Sequence, residues 1–533
     1  MKVVNILNFL RWCEPRALEI DQITKFAVTE GYITEEERIA NLDNEKWRFD
    51  RTVDVLFETA KKQFNMVNRL DLPNTFLMQY DTLLDERYVS LFRTRNEKTE
   101  VGLWFEVVKG LTDACGLEYN SKEGWAWDWH VCPGFLMGYT PSERERLIDE
   151  AMEKFRECFG EYPKSVGSWL LDAHSVNYMA DKYGIGAFCI CRDQVSTDAY
   201  TLIGGYFNQG YFPSRKNPFT PATTPENRVN APIFRMLGPD PIHNYDMRKY
   251  SSPDASLHVY TMEAAGPTGK YSEVTDWYYR SYFANEDLGF SYTQIGQENS
   301  FCMYDLVTPT VMMAERAKLF KDVEFMSLGQ TGDAFKTLFG GKTPATAVCA
   351  LDNWDTEDCQ SVYYDCENYV ANIFRHKEKI FIRALYLFDE NAEDYYLKET
   401  CKTFEGIYEN QPVVDTIYKI GEDTPDRDWF LDFNGSEYSV RKTSENELEV
   451  FWGDKSVIFR ENSIELKNIE ISFVIGEAKA KTAVNTACGR VEYSYRGRSY
   501  AVNVLEGKIT ENDGKYTISS DSGKILLGFE VEA

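Results

Sequence analysis

From Thr140 to Cys191 the sequence spells out a helix, a strand, a short helix and a second strand, and this order restricts the possible folds more than any other feature. Thr140 suits an N-cap, Pro141 suits the first helical turn, and Glu143 stands three residues on as in a capping box. Leu147, Ile148, Ala151, Met152, Phe155 and Phe159 then form a one-sided helical stripe that ends at Gly160. Residues 165–171 read as a buried strand, 175–183 as a helix stopped by Gly184, and 187–191 as another buried strand. Two strands joined by a crossover helix must run parallel, because a hairpin turn cannot connect parallel neighbours.

Six further runs carry the same signature, at 3–9, 75–80, 101–105, 232–237, 290–295 and 323–328. Short apolar runs without strict alternation suit strands buried on both faces, so the pattern predicts an α/β fold, a parallel (β/α) barrel of seven or eight strands, over residues 1–345. Beyond about Thr346 the periodicity becomes two. Ile469, Ile471, Phe473 and Ile475 alternate with polar residues, as do Val491, Tyr493 and Tyr495, and Tyr500, Val502 and Val504. Turn signals at Arg496-Gly497, Asn512-Asp513-Gly514 and Ser522-Gly523 complete an antiparallel pattern, so residues 346–533 are expected to form a β-sandwich docked on the barrel.

A formal charge of −27 disfavours phosphate backbones and anionic membranes, which bind through clustered Lys and Arg. No stretch approaches the ~18 apolar residues of a spanning helix, and the first ten residues read as a buried strand rather than a signal peptide. The 12 cysteines lack paired spacings and imply free thiols in a cytoplasmic protein. Cys189 and Cys191, on one face of a strand, suit either core packing or a metal or redox pair.

Parallel barrels carry their chemistry on the rim formed by the carboxyl ends of the strands. Here those ends read Arg11-Trp12-Cys13-Glu14-Pro15-Arg16, Gln79-Tyr80-Asp81, Trp104-Phe105-Glu106, Asp172-Ala173-His174, Arg192-Asp193-Gln194, Asp240-Pro241-Ile242-His243 and Gln297-Glu298-Asn299. Such endings describe a polar, aromatic-walled pocket, and facing carboxylates are what glycosidic hydrolysis requires. Asp172 and Glu298 are the expected catalytic pair, although an Asp just before a helix also suits an N-cap. Glu14, Arg16, Asp81, Glu106, Asp193, Arg215, Asp240 and His243 are expected to bind substrate or support the pair. Trp125, Trp127 and Trp129 suit either a sugar-stacking wall or a core staple, with His130 and Asp128 supplying polar edges.

The five histidines (130, 174, 243, 258 and 376) show neither zinc spacing, so no metal or other cofactor is expected. A divalent ion at Asp81, His130 and His174 is the alternative. Walker, dinucleotide-binding and Gly-x-Ser-x-Gly patterns are absent.

The run Tyr139-Thr140-Pro141, Phe159-Gly160-Glu161-Tyr162-Pro163, Val166-Gly167-Ser168-Trp169, Lys182-Tyr183-Gly184-Ile185 and Arg192-Asp193-Gln194 resembles a bacterial family within the glycoside hydrolase and deacetylase barrel superfamily. The resemblance continues through Gly204-Gly205-Tyr206, Pro213-Ser214-Arg215 and Phe234-Arg235-Met236-Leu237-Gly238, and covers roughly residues 1–345. It implies a carboxylate nucleophile after the fourth strand and, as in the glucan-active branch, an acid after the seventh. Asp172 and Glu298 match those positions with Asp and Glu exchanged. A related eight-stranded clan reverses the roles, so the resemblance implies the pair rather than who does what. The deacetylase branch uses an Asp-Asp pair and His-x-x-x-His, whereas this chain has a single Asp81 and no such motif.

The sequence therefore reads as a carbohydrate-active hydrolase cleaving a small oligosaccharide. A metal-dependent deacetylase and a non-catalytic sugar-binding protein are the rivals. Sugar identity, stereochemical outcome and oligomeric state are not encoded in any motif.

Overall fold

The structure, a computed structural model, describes all residues except 122–123, 198, 245–260, 287, 356–357, 416–428, 433–436, 476–479 and 532–533, together with the side chains of 195–197. His258 lies outside the described residues.

Seven parallel strands build the first layer: β1 (Lys2–Leu10), β2 (Asn74–Met78), β3 (Thr99–Trp104), β4 (Ser165–Gly167), β5 (Ala187–Cys191), β6 (Ile233–Met236) and β7 (Ser291–Ile295). Their spatial order is β7-β1-β2-β3-β4-β5-β6. The eighth expected strand is only Val323–Phe325, which pairs with the first three residues of β1, and its predicted continuation becomes the helix Leu328–Phe339. Ser327 explains that switch: its hydroxyl caps Gln330 in a capping box.

The barrel seam falls between β6 and β7. There Gly210–Tyr211 pairs antiparallel with β6, while the Gln209 side-chain carbonyl accepts from the Tyr292 amide at 2.8 Å. A side chain thus replaces a missing ladder bond. The helix expected after Thr140 runs Pro141–Phe159, with Glu143 accepting from the Thr140 amide at 2.9 Å and Gly160 in the left-handed region at φ 83°.

From Thr346 onward every strand pairing among the described residues is antiparallel except that of Gly406–Glu409, which joins Tyr200–Ile203 of the barrel half in parallel. The antiparallel strands form nine- and eight-stranded sheets whose inner faces share one core, including Ile382, Leu385, Val457, Ile464, Ile471, Val502 and Ile518. This is a barrel followed by a β-sandwich. The hairpins Tyr495–Arg498 and Asn512–Lys515 have two-residue turns with both central residues at positive φ, as Arg496-Gly497 and Asp513-Gly514 suggest.

The two parts share buried contacts. Phe207 stacks on Tyr363 with centroids 3.6 Å apart, and Arg383 donates to the Ile242 carbonyl at 2.6 Å. The segment 389–410 turns back onto the barrel, where Asp394 accepts from the Ala173 amide at 3.0 Å. Among the described residues no helix is long and apolar enough to cross a membrane, and all 12 cysteines are free thiols. Cys189 and Cys191 are fully buried within the barrel core, which is the packing reading of that pair.

Candidate active site

β1, β2, β3 and β7 deliver their carboxyl ends to one polar cluster. Glu298 reaches the rim because Gly296 lets β7 press against β1: a Cβ there would lie 1.9 Å from the Leu7 carbonyl oxygen, at a φ of +139°. Asn299 then pins the end of β1, accepting from the Arg11 amide and donating to the Arg11 carbonyl, both at 2.8 Å.

Arg11 sits at the centre of the cluster. Its guanidinium makes a two-pronged contact with Glu106 at 2.7 and 3.1 Å, and its remaining terminal nitrogen lies 2.6 Å from Glu298. Gln79 donates a third hydrogen bond to Glu106 at 2.7 Å. The face of Arg11 lies 4.1 Å from the centre of the Trp127 ring, and Trp127 itself donates to the Cys13 carbonyl at 2.7 Å. Trp127 is therefore a buried staple under the site. A floor of rings, Phe9 stacked on Trp104 with Trp169 edge-on to both, completes the barrel mouth.

Glu298 is 7% exposed, and burial pushes its carboxyl up to about 7. Arg11 and a hydrogen bond from the Ser300 side chain pull in the opposite direction, while the nearby charges of Glu106 and Glu263 push further up. Glu263 is half-buried and is oriented by the Gln297 amide at 2.9 Å and by the Thr261 hydroxyl.

Asp172 departs from expectation. β4 stops at Gly167, and Asp172 becomes the N-cap of the helix Ala173–Tyr183, accepting from the Ser175 amide at 3.0 Å and the Ser175 hydroxyl at 2.7 Å. It is fully buried against the equally buried Arg144, 2.9 Å away. Arg144 also donates to the carbonyls of Tyr139, Glu399 and Tyr396. Among the described residues no contact or shared partner links Asp172 to Glu298, and the capping alternative describes Asp172.

Several other expected residues are likewise absorbed into the framework. Asp193 is buried against Arg235 at 2.7 Å and accepts from the Gly204 amide. Asp240 folds its own turn by accepting from the amides of Ile242 and His243 and from the Trp354 ring. His243 is buried edge-on to Trp354, 3.4 Å from Asp355. Arg215 faces away from the rim and grips Asp181 on the helix Ala173–Tyr183.

Others do line the mouth. Glu14 accepts three bonds from Arg16, whose guanidinium lies 4.9 Å from the Trp129 ring centre. Trp129 is sandwiched between Trp125 at 4.9 Å and His130 at 5.0 Å, and His130 is held by Asp128 at 2.6 Å. Asp81 enters a separate cleft beside the mouth.

His174 pairs instead with Glu145 at 3.1 Å, so Asp81, His130 and His174 stand in three different settings. Among the described residues no group of three or more His, Cys, Asp or Glu is gathered as a metal ion would need. The residues do not fit the divalent-ion alternative.

Sequence reading treated Arg11, Gln79 and Asn299 only as strand endings. Their signal was the guanidinium or amide directly after an apolar strand, but which acid each would choose depends on strand order, which spacing alone does not show.

No family model and no curated protein matches the chain. Among solved structures, a candidate glycoside hydrolase/deacetylase from Parabacteroides distasonis is similar over 80% of this chain and 92% of its own, with a TM-score of 0.53 and 12% identity. A candidate polysaccharide deacetylase from Mycobacterium smegmatis aligns over 63% of this chain and 90% of its own at a TM-score of 0.34 and 9% identity. Puue allantoinase aligns over the same shares at 0.34 and 11% identity. The first likeness shows a shared fold; the other two are too distant to carry an argument.

Proposed function

We propose that the protein is a carbohydrate-active hydrolase that cleaves a glycosidic bond in a small oligosaccharide, with Glu298 as the proton donor. One observation carries this reading: at the barrel mouth a buried carboxyl at about 7 shares a single guanidinium with a second acid. A general acid works best when its pKa lies near the operating pH. Protonated Glu298 gives its proton to the departing glycosidic oxygen, and the resulting carboxylate is met at once by Arg11. Glu106, clamped by Arg11 and Gln79, is a positioning residue that holds the guanidinium in place.

Glu263, held at 2.9 Å by Gln297, the residue directly before Glu298, is assigned as the second carboxylate that such chemistry requires. Trp125, backed by the stacked Trp129, forms with Arg16 and Glu14 the wall on which a sugar ring would pack. The free thiols favour a cytoplasmic setting.

The test is a panel of aryl glycosides graded by leaving group. Glu298→Gln should lose about 10²- to 10⁴-fold on alkyl or 4-nitrophenyl glycosides and far less on 2,4-dinitrophenyl glycosides, which depart without a proton. Equal loss across the panel removes Glu298 as the acid. Acetate release from N-acetylated sugars with no glycosidic cleavage would overturn the reaction class.

A further inference from the structure

Beside the barrel mouth, but not part of the Arg11 cluster, lies a cleft of about 630 Å³ lined by Trp12, Asp81, Leu84, Lys109, Gly110, Asp113 and Ala126, among others. That size is ordinary for a small-ligand site. Asp81 faces it from the short helix Tyr80–Leu84 and is only 8% exposed. No hydrogen bond or ion pair reaches its carboxyl among the described residues, and a buried carboxyl without partners is costly.

The neighbouring charges of the lining are already paired. Lys109, the lysine of the lining, is committed to Asp113 at 2.5 Å. Arg87 is committed to Asp85 at 2.6 Å and to Asp54 at 2.7 Å. Asp113 is close enough for its charge to add to the effect of burial, which together push the Asp81 carboxyl up to about 7. Gly110 keeps the space open, since a Cβ there would lie 2.3 Å from the Asp81 carboxyl oxygen. Trp12, on the wall, has its indole nitrogen fixed by Asp85 at 3.1 Å and directly follows Arg11 of the proposed catalytic cluster.

We propose that this cleft binds the protonated amine of an amino sugar, with the Asp81 carboxylate as its counter-ion, Asp113 as a second negative charge and Trp12 as the packing surface. The ammonium supplies the donors that Asp81 lacks, while Asp113 keeps its own partner, Lys109. A metal ion fits less well: the other two carboxylates of the lining are committed elsewhere, Asp85 to Arg87 and Glu86 to Ser90 and Arg93, and among the described residues no group of three or more ligands is gathered. If Glu298 is the proton donor, the cleft becomes the neighbouring subsite and the substrate an amine-bearing oligosaccharide. That extension rests on the proposed function, whereas amine binding does not.

Calorimetric titration of the intact protein with glucosamine, glucose and N-acetylglucosamine separates the two. The wild type should bind glucosamine saturably and at least tenfold more tightly than either neutral sugar. Asp81→Asn, which keeps the side-chain shape and removes a costly buried charge, should fold normally and lose that preference. Gly110→Ala, which crowds the carboxyl, should weaken binding in the same direction. Equal affinity for glucosamine and glucose, or unchanged glucosamine binding in folded Asp81→Asn, overturns the proposal. Because binding needs no turnover, repeating the titration in Glu298→Gln keeps the outcome separate from the fate of the proton-donor assignment: binding there should match the wild type.

Discussion

Two acids after strand ends, Asp172 and Glu298, each meet a buried arginine, yet the structure gives them opposite characters. Asp172 is fully buried and met by three donors: Arg144, the Ser175 amide and the Ser175 hydroxyl. Glu298 keeps a small opening to solvent, has Ser300 as a side-chain donor, and shares its arginine with Glu106, which holds two of the guanidinium's contacts. A carboxylate surrounded by dedicated donors is a structural fixture. One that is buried but under-supplied is left able to exchange a proton near neutral pH. Burial and an arginine neighbour do not by themselves mark a catalytic acid; the share of donors does.

The largest effect that tests this contrast is on turnover. Glu298→Gln should lower kcat by about 10²- to 10⁴-fold with the fold intact, as seen by steady-state kinetics beside circular dichroism. Asp172→Ala should do the reverse, costing about 3–5 kcal/mol in urea unfolding because it strands the Arg144 charge, while each folded molecule keeps its activity. An Asp172 variant that is stable but inactive would break the comparison.

Smaller effects sharpen it. If Glu298 is the donor, kcat/KM falls as pH rises through about 7. Arg11 lowers the Glu298 pKa and Glu106 raises it, so Arg11→Met should move this limb to higher pH and Glu106→Gln to lower pH. Stability should also follow Glu298. Its folded pKa lies above its ordinary 4.5, so its contribution is fully present below about 4.5 and is lost as pH rises to about 7. Glu298→Gln should flatten that part of the stability profile measured by thermal unfolding. The smallest effect is expected from Ser175→Ala, about 1–2 kcal/mol of stability with no change in activity, because Asp172 keeps its other two donors.

Much of the barrel was legible because its signals are local. The capping box at Thr140, the stop at Gly160 and the apolar runs of β1 to β7 each specify their own few residues. The eighth run forms only a short strand for an equally local reason: Ser327 opens a helix at its end. The site was legible only as a rim. Glu298, Glu106, Glu14 and Trp129 were found as strand endings or ring patterns, whereas the partners of Asp172 were hidden by distance. Arg144 lies 28 residues away, and the segment bearing Asp394 returns from the far side of the first sandwich strands. Whether a strand-end acid faces a cavity or a saturating arginine depends on such long-range packing, which local spacing does not encode.

The most direct measurement is carboxyl ¹³C NMR of glutamate-labelled protein, with Glu298→Gln used to assign the resonance. One glutamate carboxyl should titrate near pH 7 in the wild type and vanish in the variant. A Glu298 resonance already fully ionised at pH 5 would contradict the account.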